Sequence, residues 1–580
     1  MEIFDYDIVI IGSGIAGMSA AIHASKSSKK GTRIAIISKL HAMRSHSVAA
    51  EGGISGVLYP GQNNDSYDLH AFDTVKGSDY LADQDAVEIL VKNAPKEIRF
   101  FEHIGVPWTR EENGDILFRA FGGMSVKRTA FAADKTGFFM MRALYDYLTS
   151  LDNIKIFHEY YMTDLLLDKN RVAGLYGFDL STGERVVFRT KACIIATGGY
   201  ARVFGFTTTS YSSTGDGIAL AYRAGLPLKD MEFIQFHPTA LVPSGILITE
   251  AARGEGGYLR NSKGTRFMKD YARSKMELAP RDIVSRAIIT EINKGNGLVQ
   301  KGSDMKYVDL DLRHLGKEKL DFRLPMIREI TMKSIGLDPA EEPIPVRPAA
   351  HFTMGGIHTD INGRIMQRSL KEHVHGLFAA GECACVSVHG SNRLGSNSLS
   401  QCAVWGRIVG IEAARIASGS NHVPQTILKE MAYKADERLN RFIGKDGEHS
   451  PYRIREEMQR VMEEHMYVFR TQKGMKQALK KIKKLKEEAA NMKIEDKGKL
   501  FNTNLRDALE ISNLIDLAEV ATAGAIKRKE SRGAHSVVEY KERNDKEWLK
   551  HTIAFLSRGG PKFAYIPVKI TKWKPQPRTY

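Results

Sequence analysis

The chain has 580 residues, 43% of them hydrophobic and 26% charged, as in ordinary soluble globular proteins, and this length predicts two to four packed units. Lysines and arginines outnumber aspartates and glutamates by 84 to 68. However, acidic residues interrupt the densest basic run, 473–499, and the sequence lacks nucleic-acid-binding motifs. Both observations argue against a nucleic-acid partner. The sequence contains no run of 18 apolar residues, the length that a membrane-spanning helix needs. The four cysteines have neither disulfide nor iron–sulfur spacing, so no metal site is expected.

The first predicted elements are a buried strand, a glycine turn and an alanine-rich helix, in the run DIVIIGSGIAG at residues 7–17. Gly12, Gly14 and Gly17 supply the G-x-G-x-x-G spacing in the strand–turn–helix setting that it requires. Gly12 permits the tight turn, Gly14 lets a pyrophosphate approach the backbone, and Gly17 lets helix and strand pack closely. The helix N-terminus would then face the phosphates. This pattern predicts a dinucleotide site.

The second strand, residues 32–37, ends in Ser38 and Lys39 instead of the acidic residue that usually binds a ribose. That departure disfavours NAD but leaves FAD open, because Ser38 can still hydrogen-bond the ribose. Two later apolar strands also end in glycine-rich turns, ACIIATGGY at 192–200 and GLFAAGE at 376–382. Three such strand ends, spread over a large part of the chain, predict a discontinuous FAD-binding domain of the α/β class.

The run RSHSVAAEGGI at residues 44–54 resembles the segment of succinate dehydrogenase and fumarate reductase flavoproteins whose histidine bonds covalently to the flavin 8α-methyl group. His46 takes that position, so the resemblance implies covalent FAD. One local departure is Phe138 and Phe139, where this family often carries a histidine. Further runs similar to family segments occur in the same order at 73–80, 121–123, 133–137, 214–217, 236–239, 249–257, 281–286, 351–357, 389–399, 530–535 and 570–574.

The resemblance also implies the roles of individual side chains. Arg281 is expected to exchange a proton with the substrate, with Glu250 and Arg253 relaying it. Without the resemblance, the residue types alone would favour a structural ion-pair network. The four residues expected to bind a C4 dicarboxylate are His237, Thr249, His351 and Arg393, and Phe121 is expected to pack against it. Besides the three glycines, Ser38 and His46, the residues expected to contact FAD are Ser47, Gly52, Gly53, Asp216, Glu382, Asn397, Ser398 and Leu399.

The expected architecture is a Rossmann-like FAD-binding domain at residues 1–235 and 347–420, interrupted by a capping domain at 236–346. A helical domain at 421–545 and a small C-terminal segment at 546–580 follow. Amphipathic periodicity at 454–467 and 475–489 supports the helical assignment. The substrate would lie between the cap and the FAD-binding domain.

The expected activity is the interconversion of fumarate and succinate by hydride transfer at flavin N5. The resemblance implies that the chain is the catalytic subunit of a quinone-linked respiratory complex, with an iron–sulfur subunit and a cytochrome b-type membrane anchor. No signal peptide precedes the first strand, so we expect a cytoplasmic protein, peripheral on the inner face of the cell membrane. The alternatives are an L-aspartate oxidase, which has unlinked flavin, and a non-catalytic flavoprotein module, which would not need Arg281, His351 and Arg393 together.

Overall fold

The computed structural model describes residues 1–445 and 447–579. Its first part contains a parallel nucleotide-binding core with antiparallel additions. The elements up to residue 229 are β1 Glu2–Asp5, β2 Ile8–Ile11, α1 Ile15–Ser27, β3 Ile34–Ser38, β4 Ile54–Ser55, α2 Tyr67–Gly77, α3 Gln84–His103, β5 Phe118–Arg119, β6 Thr129–Ala130, α4 Thr136–Thr149, β7 Ile154–His158, β8 Tyr160–Asp168, β9 Arg171–Asp179, β10 Arg185–Arg189, β11 Ala192–Ile195, α5 Asp216–Arg223 and β12 Leu228–Lys229.

The segment expected to form the cap contains an antiparallel sheet and short helices. Its elements are β13 Ile234–Leu241, α6 Glu250–Gly254, β14 Tyr258–Arg260, α7 Arg281–Glu291, β15 Leu298–Val299, β16 Lys306–Asp311, α8 Lys317–Arg323, α9 Pro325–Ile335 and β17 Ile344–Thr353. The four longer strands have the order β13-β17-β16-β14, and β15 pairs with β16. Residues 236–346 are called the cap segment below.

The remaining elements return to the core and then form a helical layer. They are β18 Gly356–His358, β19 Arg364–Met366, β20 His373–Ala379, β21 Ala384–Cys385, α10 Asn397–Gly419, α11 Gln425–Gly444, α12 Pro451–His465, α13 Gln472–Ala489, α14 Thr503–Lys527, α15 Asp545–Trp548, β22 Lys550–Phe555 and β23 Lys562–Pro567. Within the described residues, no helix has the length and apolar character needed to cross a membrane.

The central sheet has the strand order β1-β10-β9-β20-β11-β2-β3-β7. Strands β2, β3 and β11 are parallel and fully buried, because their apolar runs are covered on both faces. Helices α1 and α10 pack against each other beside this sheet, and Gly406 and Gly410 of α10 approach the backbone of α1. The glycine-rich turns that follow β2, β11 and β20 therefore meet at one edge of the sheet.

The basic run at 473–499 lies largely on α13, an amphipathic helix. Its buried residues recur at helical spacing, whereas most of its lysines face solvent: the buried set includes Met475, Ala478, Ile482, Leu485 and Ala489. This geometry agrees with the interpretation of the run as a solvated helix face.

Candidate functional site

A single elongated cavity begins at the edge where the three glycine-rich turns meet and reaches into the cap segment. It is lined by residues from the turn after β2, the segment after β3, the turns after β11 and β20, β13, α6, α7 and the start of α10. The residues predicted from the sequence that line it are Gly12, Gly14, Ser38, His46, Ser47, Gly52, Gly53, Phe121, Asp216, His237, Thr249, Glu250, Arg281, His351, Glu382, Arg393, Ser398 and Leu399.

One end of the cavity has the geometry of an anionic dinucleotide site. Gly12 has φ +105°, and a Cβ atom there would lie 2.2 Å from the Ala196 carbonyl oxygen. A Cβ on Gly17 would lie 2.0 Å from the Gly12 carbonyl oxygen, so both glycines are required for the close approach of turn and helix. Helix α1 begins at Gly14 without a side-chain cap and without an acidic residue in its first turn. Its first N–H groups therefore suit a pyrophosphate.

The ribose edge of this site contains a buried ion cluster. The ammonium of Lys39 donates to Asp216 Oδ2 at 2.7 Å, to Glu510 Oε1 at 2.6 Å and to Thr214 Oγ1 at 2.7 Å. Asn513 Nδ2 donates to the other oxygen of Asp216 at 2.8 Å. Although burial alone would raise the pKa of Asp216, the Lys39 ammonium holds it below its usual range. The lysine that follows Ser38 thus compensates a carboxylate from another part of the fold.

His46 lies in the middle of the cavity, on a short 3₁₀ turn, His46–Ala49. The Ser210 N–H donates to its Nδ1 at 3.2 Å, which leaves Nε2 for another bond. Burial and the nearby Arg202 lower the pKa of His46 to about 4, so the imidazole is neutral at physiological pH. Beyond it, the partly buried Glu382 accepts from the Thr353 N–H at 2.9 Å, and desolvation raises its pKa to about 7.

The other end of the cavity contains the predicted acid–base group. Arg281 Nε donates to Glu250 Oε2 at 2.8 Å, and its Nη1 donates to Gln235 Oε1 at 3.1 Å. Arg253 lies behind Glu250, with its Nη2 3.9 Å from Oε1. Burial alone would raise the pKa of Glu250, but the Arg281 and Arg253 guanidiniums hold it below its usual range. Glu250 is therefore ionised between two arginines.

Two histidines and a second arginine complete this end. The rings of His237 and His351 lie 5.0 Å apart, and burial followed by the charge of Arg281 lowers the pKa of both imidazoles well below their usual range. Thr208 Oγ1 lies 2.7 Å from His351 Nδ1, which leaves Nε2 of that ring for a ligand. Burial and Arg281 also lower the pKa of Arg393, whose buried Nε has no hydrogen-bond partner among the described residues. These unmet donors suit a carboxylate-bearing ligand.

Three predicted residues do not line the cavity. Gly17 supports the turn from behind, and Arg253 is separated from the cavity by Glu250. The Asn397 side chain points to α2, because its Nδ2 donates to Thr74 Oγ1 at 3.0 Å and its Oδ1 lies 3.1 Å from His70 Nε2. The expected closure of the flavin site by this side chain therefore has no support in its contacts.

Several residues at or next to the cavity were not identified from the sequence. Gln235 binds Arg281, and Lys39 lines the ribose edge. Glu51 is the least expected: it is buried, its Oε2 has no hydrogen-bond partner among the described residues, and burial and Asp134 raise its pKa well above its usual range. The only signal for Glu51 was its position between His46 and Gly52 in the run at 44–54.

Comparisons with known proteins agree with this geometry. A family model of the FAD binding domain matches residues 7–399, and a model of the fumarate reductase flavoprotein C-terminus matches residues 455–580. The chain is 43% identical to the fumarate reductase flavoprotein subunit of Haemophilus influenzae over 100% of its own length and 97% of the relative's. It is also 43% identical to the succinate dehydrogenase flavoprotein subunit of Rickettsia bellii, over 98% of this chain and 96% of that one.

Solved structures give the same result. An E. coli quinol fumarate reductase FrdA variant superposes with a TM-score of 0.95 at 41% identity, over 100% of this chain and 99% of that chain. Mycobacterium smegmatis Sdh1 in complex with UQ1 superposes with a TM-score of 0.85 at 33% identity, over 99% of this chain and 96% of that chain. The predicted α/β fold with an FAD-binding domain is confirmed. The chain belongs to the family of fumarate reductase and succinate dehydrogenase flavoprotein subunits and is an FAD-dependent oxidoreductase.

Proposed function

We propose that this chain interconverts fumarate and succinate in the cavity between the FAD-binding core and the cap segment. The observation that carries the proposal is the net charge at the end of the cavity that contains Arg281, which we call the inner end. Arg253, Arg281 and Arg393 bring three positive charges and Glu250 brings one negative charge, which leaves two positive charges beside neutral histidines. A dicarboxylate with two negative charges balances this site.

The substrate contacts follow from the donors at that end. Arg393, His237 and His351 would donate to the two carboxylates, and the Thr249 hydroxyl would contribute another bond. Charge-assisted bonds hold the substrate in one orientation and draw electron density from the double bond of fumarate. Phe121, 3% exposed at the cavity wall, would exclude water from the reacting carbons. Bound FAD supplies the hydride acceptor or donor.

Arg281 is the proposed proton donor to fumarate and the acceptor in succinate oxidation. An isolated arginine is a poor acid, but here Glu250 contacts its guanidinium and Arg253 lies behind Glu250. Transfer concerted with hydride addition avoids a free neutral guanidine, and the ionised Glu250 would take a proton from Arg253 and pass it to Arg281. Arg253 would complete this relay.

His46 is the proposed covalent ligand of the flavin 8α carbon, through Nε2. Its neutral imidazole and its position midway along the cavity support this assignment. Such a bond raises the flavin potential and so favours the oxidation of an unactivated alkane. The remaining proposed FAD contacts are those from Ser47, Gly52, Gly53, Asp216, Glu382, Ser398 and Leu399, beside the glycine turn.

The covalent bond is tested by denaturing the assembled holoprotein in acid and running it on a gel. The band should fluoresce under ultraviolet light, and His46→Ala should give a dark band while the native variant still binds FAD. His46→Ala should also lose succinate oxidation more than dye-linked fumarate reduction. A dark wild-type band would favour an L-aspartate oxidase, which a direct assay with L-aspartate would identify.

We further propose that this chain exchanges electrons with a membrane quinone/quinol couple through an iron–sulfur subunit and a cytochrome b-type membrane anchor. Similar structures include a quinol-fumarate reductase with menaquinol molecules and Mycobacterium smegmatis Sdh1 in complex with UQ1, so quinone chemistry accompanies these relatives. Within the described residues, no cluster of metal-binding side chains is present that could relay single electrons. The chain would then lie on the cytoplasmic face of the membrane, held there by its partners.

A further inference from the structure

Arg578 lies between two buried carboxylates from distant parts of the chain. Its Nη2 donates to Asp282 Oδ2 at 2.6 Å, and its Nε lies 3.2 Å from Asp79 Oδ1. Asp282 belongs to the first turn of α7 in the cap segment, whereas Asp79 follows α2. The Arg578 side chain is only 9% exposed. One guanidinium therefore joins the cap segment, the core and the last part of the described chain.

Three more hydrogen bonds close these contacts into a ring. The Gly533 N–H donates to Asp79 Oδ2 at 3.0 Å, and its carbonyl oxygen accepts from Arg286 Nη1 at 2.8 Å. Arg286 Nη2 then donates to Asp282 Oδ2 at 2.9 Å. We call Asp79, Asp282, Arg286, Gly533 and Arg578 the interdomain ring. A Cβ on Gly533 would lie 2.3 Å from Ser391 Oγ, so the neighbouring Ser391 leaves no room for a side chain at this position of the ring.

The ring differs from an exposed ion pair because its carboxylates are buried. Burial alone would raise the pKa of Asp282, yet Arg578 and Arg286 lower it to about 2. Arg578, Arg532 and Arg543 likewise hold the pKa of Asp79 below its usual range against burial. Loss of one partner would leave a buried charge uncompensated, which is costly. The ring therefore fixes the backbone at Asp282 firmly.

That backbone also carries Arg281, the first residue of α7. Pro280, the N-cap residue of α7, makes no side-chain capping hydrogen bond, so the first turn of the helix depends on other contacts. Glu250 and Gln235 hold the Arg281 guanidinium on the cavity side, and the ring holds the adjacent residue. A displacement of this turn would move the guanidinium relative to the substrate carbons, and an error of about 1 Å can cost a hundredfold in rate.

We propose that Arg578 is a positioning residue for Arg281: through Asp282 it fixes the first turn of α7 so that the guanidinium meets the substrate carbon. This role rests on the proposed function. It adds to the active site a residue that touches neither substrate nor cofactor and lies almost 300 positions away in the sequence. It also predicts a specific defect in proton transfer, not in dicarboxylate binding.

The test compares Arg578→Gln, Arg578→Lys and Asp282→Asn in the assembled holoenzyme, with activity expressed per bound flavin. Lys572→Ala is the matched control, because Lys572 lies in the same terminal segment and pairs at 2.6 Å with an exposed carboxylate, that of Asp68. For Arg578→Gln we expect kcat for dye-linked fumarate reduction to fall roughly tenfold or more, with KM within about threefold. Arg578→Lys should recover part of the rate, since it keeps the charge but loses the planar fork.

The solvent deuterium isotope effect on kcat distinguishes the proposed positioning role of Arg578 from a purely structural role. It should increase in Arg578→Gln and Asp282→Asn, because misplaced Arg281 makes proton transfer limiting, and should stay at the wild-type value in Lys572→Ala. The double variant Arg578→Gln/Asp282→Asn should be no slower than Asp282→Asn alone, because both substitutions remove the same contact. A lower kcat with an unchanged isotope effect, or an unchanged kcat in Arg578→Gln, would overturn the proposal. If wild-type holoenzyme did not reduce fumarate, the proposed function would fail, and hydrogen exchange of residues 281–286 would still report whether Arg578 holds this turn.

Discussion

At the scale of single residues, the inner end of the cavity is unusual because buried positive charges outnumber negative ones there. Arg281 and Arg393 both line it, and burial together with the Arg281 guanidinium disfavours the charge of Arg393. Glu250 compensates one of them directly. The positive charge that Glu250 does not compensate costs free energy in the empty site, and a bound dianion offsets this cost. Because Glu250 pairs directly with Arg281 alone, substitutions of the two arginines should differ in their kinetic effects.

Arg281→Ala should reduce turnover by at least about a hundredfold, the scale of a positioned acid–base group. Arg393→Ala should instead raise KM for fumarate roughly tenfold to a hundredfold, because a charge-assisted bond contributes about 1.5–3 kcal/mol. Steady-state kinetics with a reduced dye measure both. Arg313→Ala, an exposed arginine of the cap segment, is the control. Near-normal turnover in Arg281→Ala would remove the proton-donor assignment.

Most of the site residues named from the sequence line the cavity, because glycine spacing and the run around His46 have local causes. The sequence did not identify Lys39 as the partner of Glu510, since 471 positions separate them and nothing local links the two. The predicted FAD contact of Asn397 gains no support from the structure, because its neighbours in the chain line the cavity while its own side chain bonds to α2. The direction in which a side chain points in the first turn of a helix depends on its packing partners, and no local sequence pattern encodes these.

At the scale of elements, helices α3 and α10 are joined by a buried ion pair. Arg407 Nε of α10 donates to Glu97 Oε1 at 2.5 Å, but Glu97 Oε2 has no hydrogen-bond partner among the described residues. Burial outweighs Arg407 and raises the pKa of Glu97 to about 7. A carboxyl whose folded-state pKa is raised contributes stability that is fully present below its unfolded-state pKa and is lost as pH rises through the folded-state value.

Glu97→Gln should therefore change the pH dependence of stability between about pH 4.5 and 7. In the wild type this group's contribution declines as pH rises through about 7, whereas the amide cannot ionise, so the variant should gain stability relative to the wild type from pH 5 to pH 8. Thermal unfolding of the holoprotein at several pH values measures this. Glu88→Gln, an exposed partner of Lys92 on the same helix, is the control. Parallel pH profiles for wild type and Glu97→Gln would contradict the expectation.

Element types were predictable wherever one pattern dominated. The apolar runs of β2 and β11 predict buried strands, and the helical periodicity at 475–489 predicts α13. The pairing of β12 with β22 was not predictable, since Leu228 meets Ala554 across more than half of the chain. The proposed domain boundaries remain predictions for the same reason.

At the scale of the whole molecule, the proposed electron path requires partners. The purified flavin-loaded chain should reduce fumarate with a low-potential dye but should show no activity with quinol. The physical reason is that quinol delivers electrons one at a time and at the membrane, whereas the cavity is deep in the chain. The intact complex, assayed with the same quinol, is the control. Quinol-dependent fumarate reduction by the isolated chain, free of iron–sulfur clusters, would remove the case for a partner.

The position of β20 in the central sheet has a consequence for biosynthesis. This strand, His373–Ala379, inserts between β9 and β11, so the parallel core cannot close until that part of the chain has left the ribosome. At about 5–20 residues per second, the interval between the synthesis of β11 and that of β20 is roughly 10–40 s. During it, β11 presents an open apolar edge that can pair with another nascent chain. Protection by a chaperone should matter most in that interval, and flavin capture must follow it.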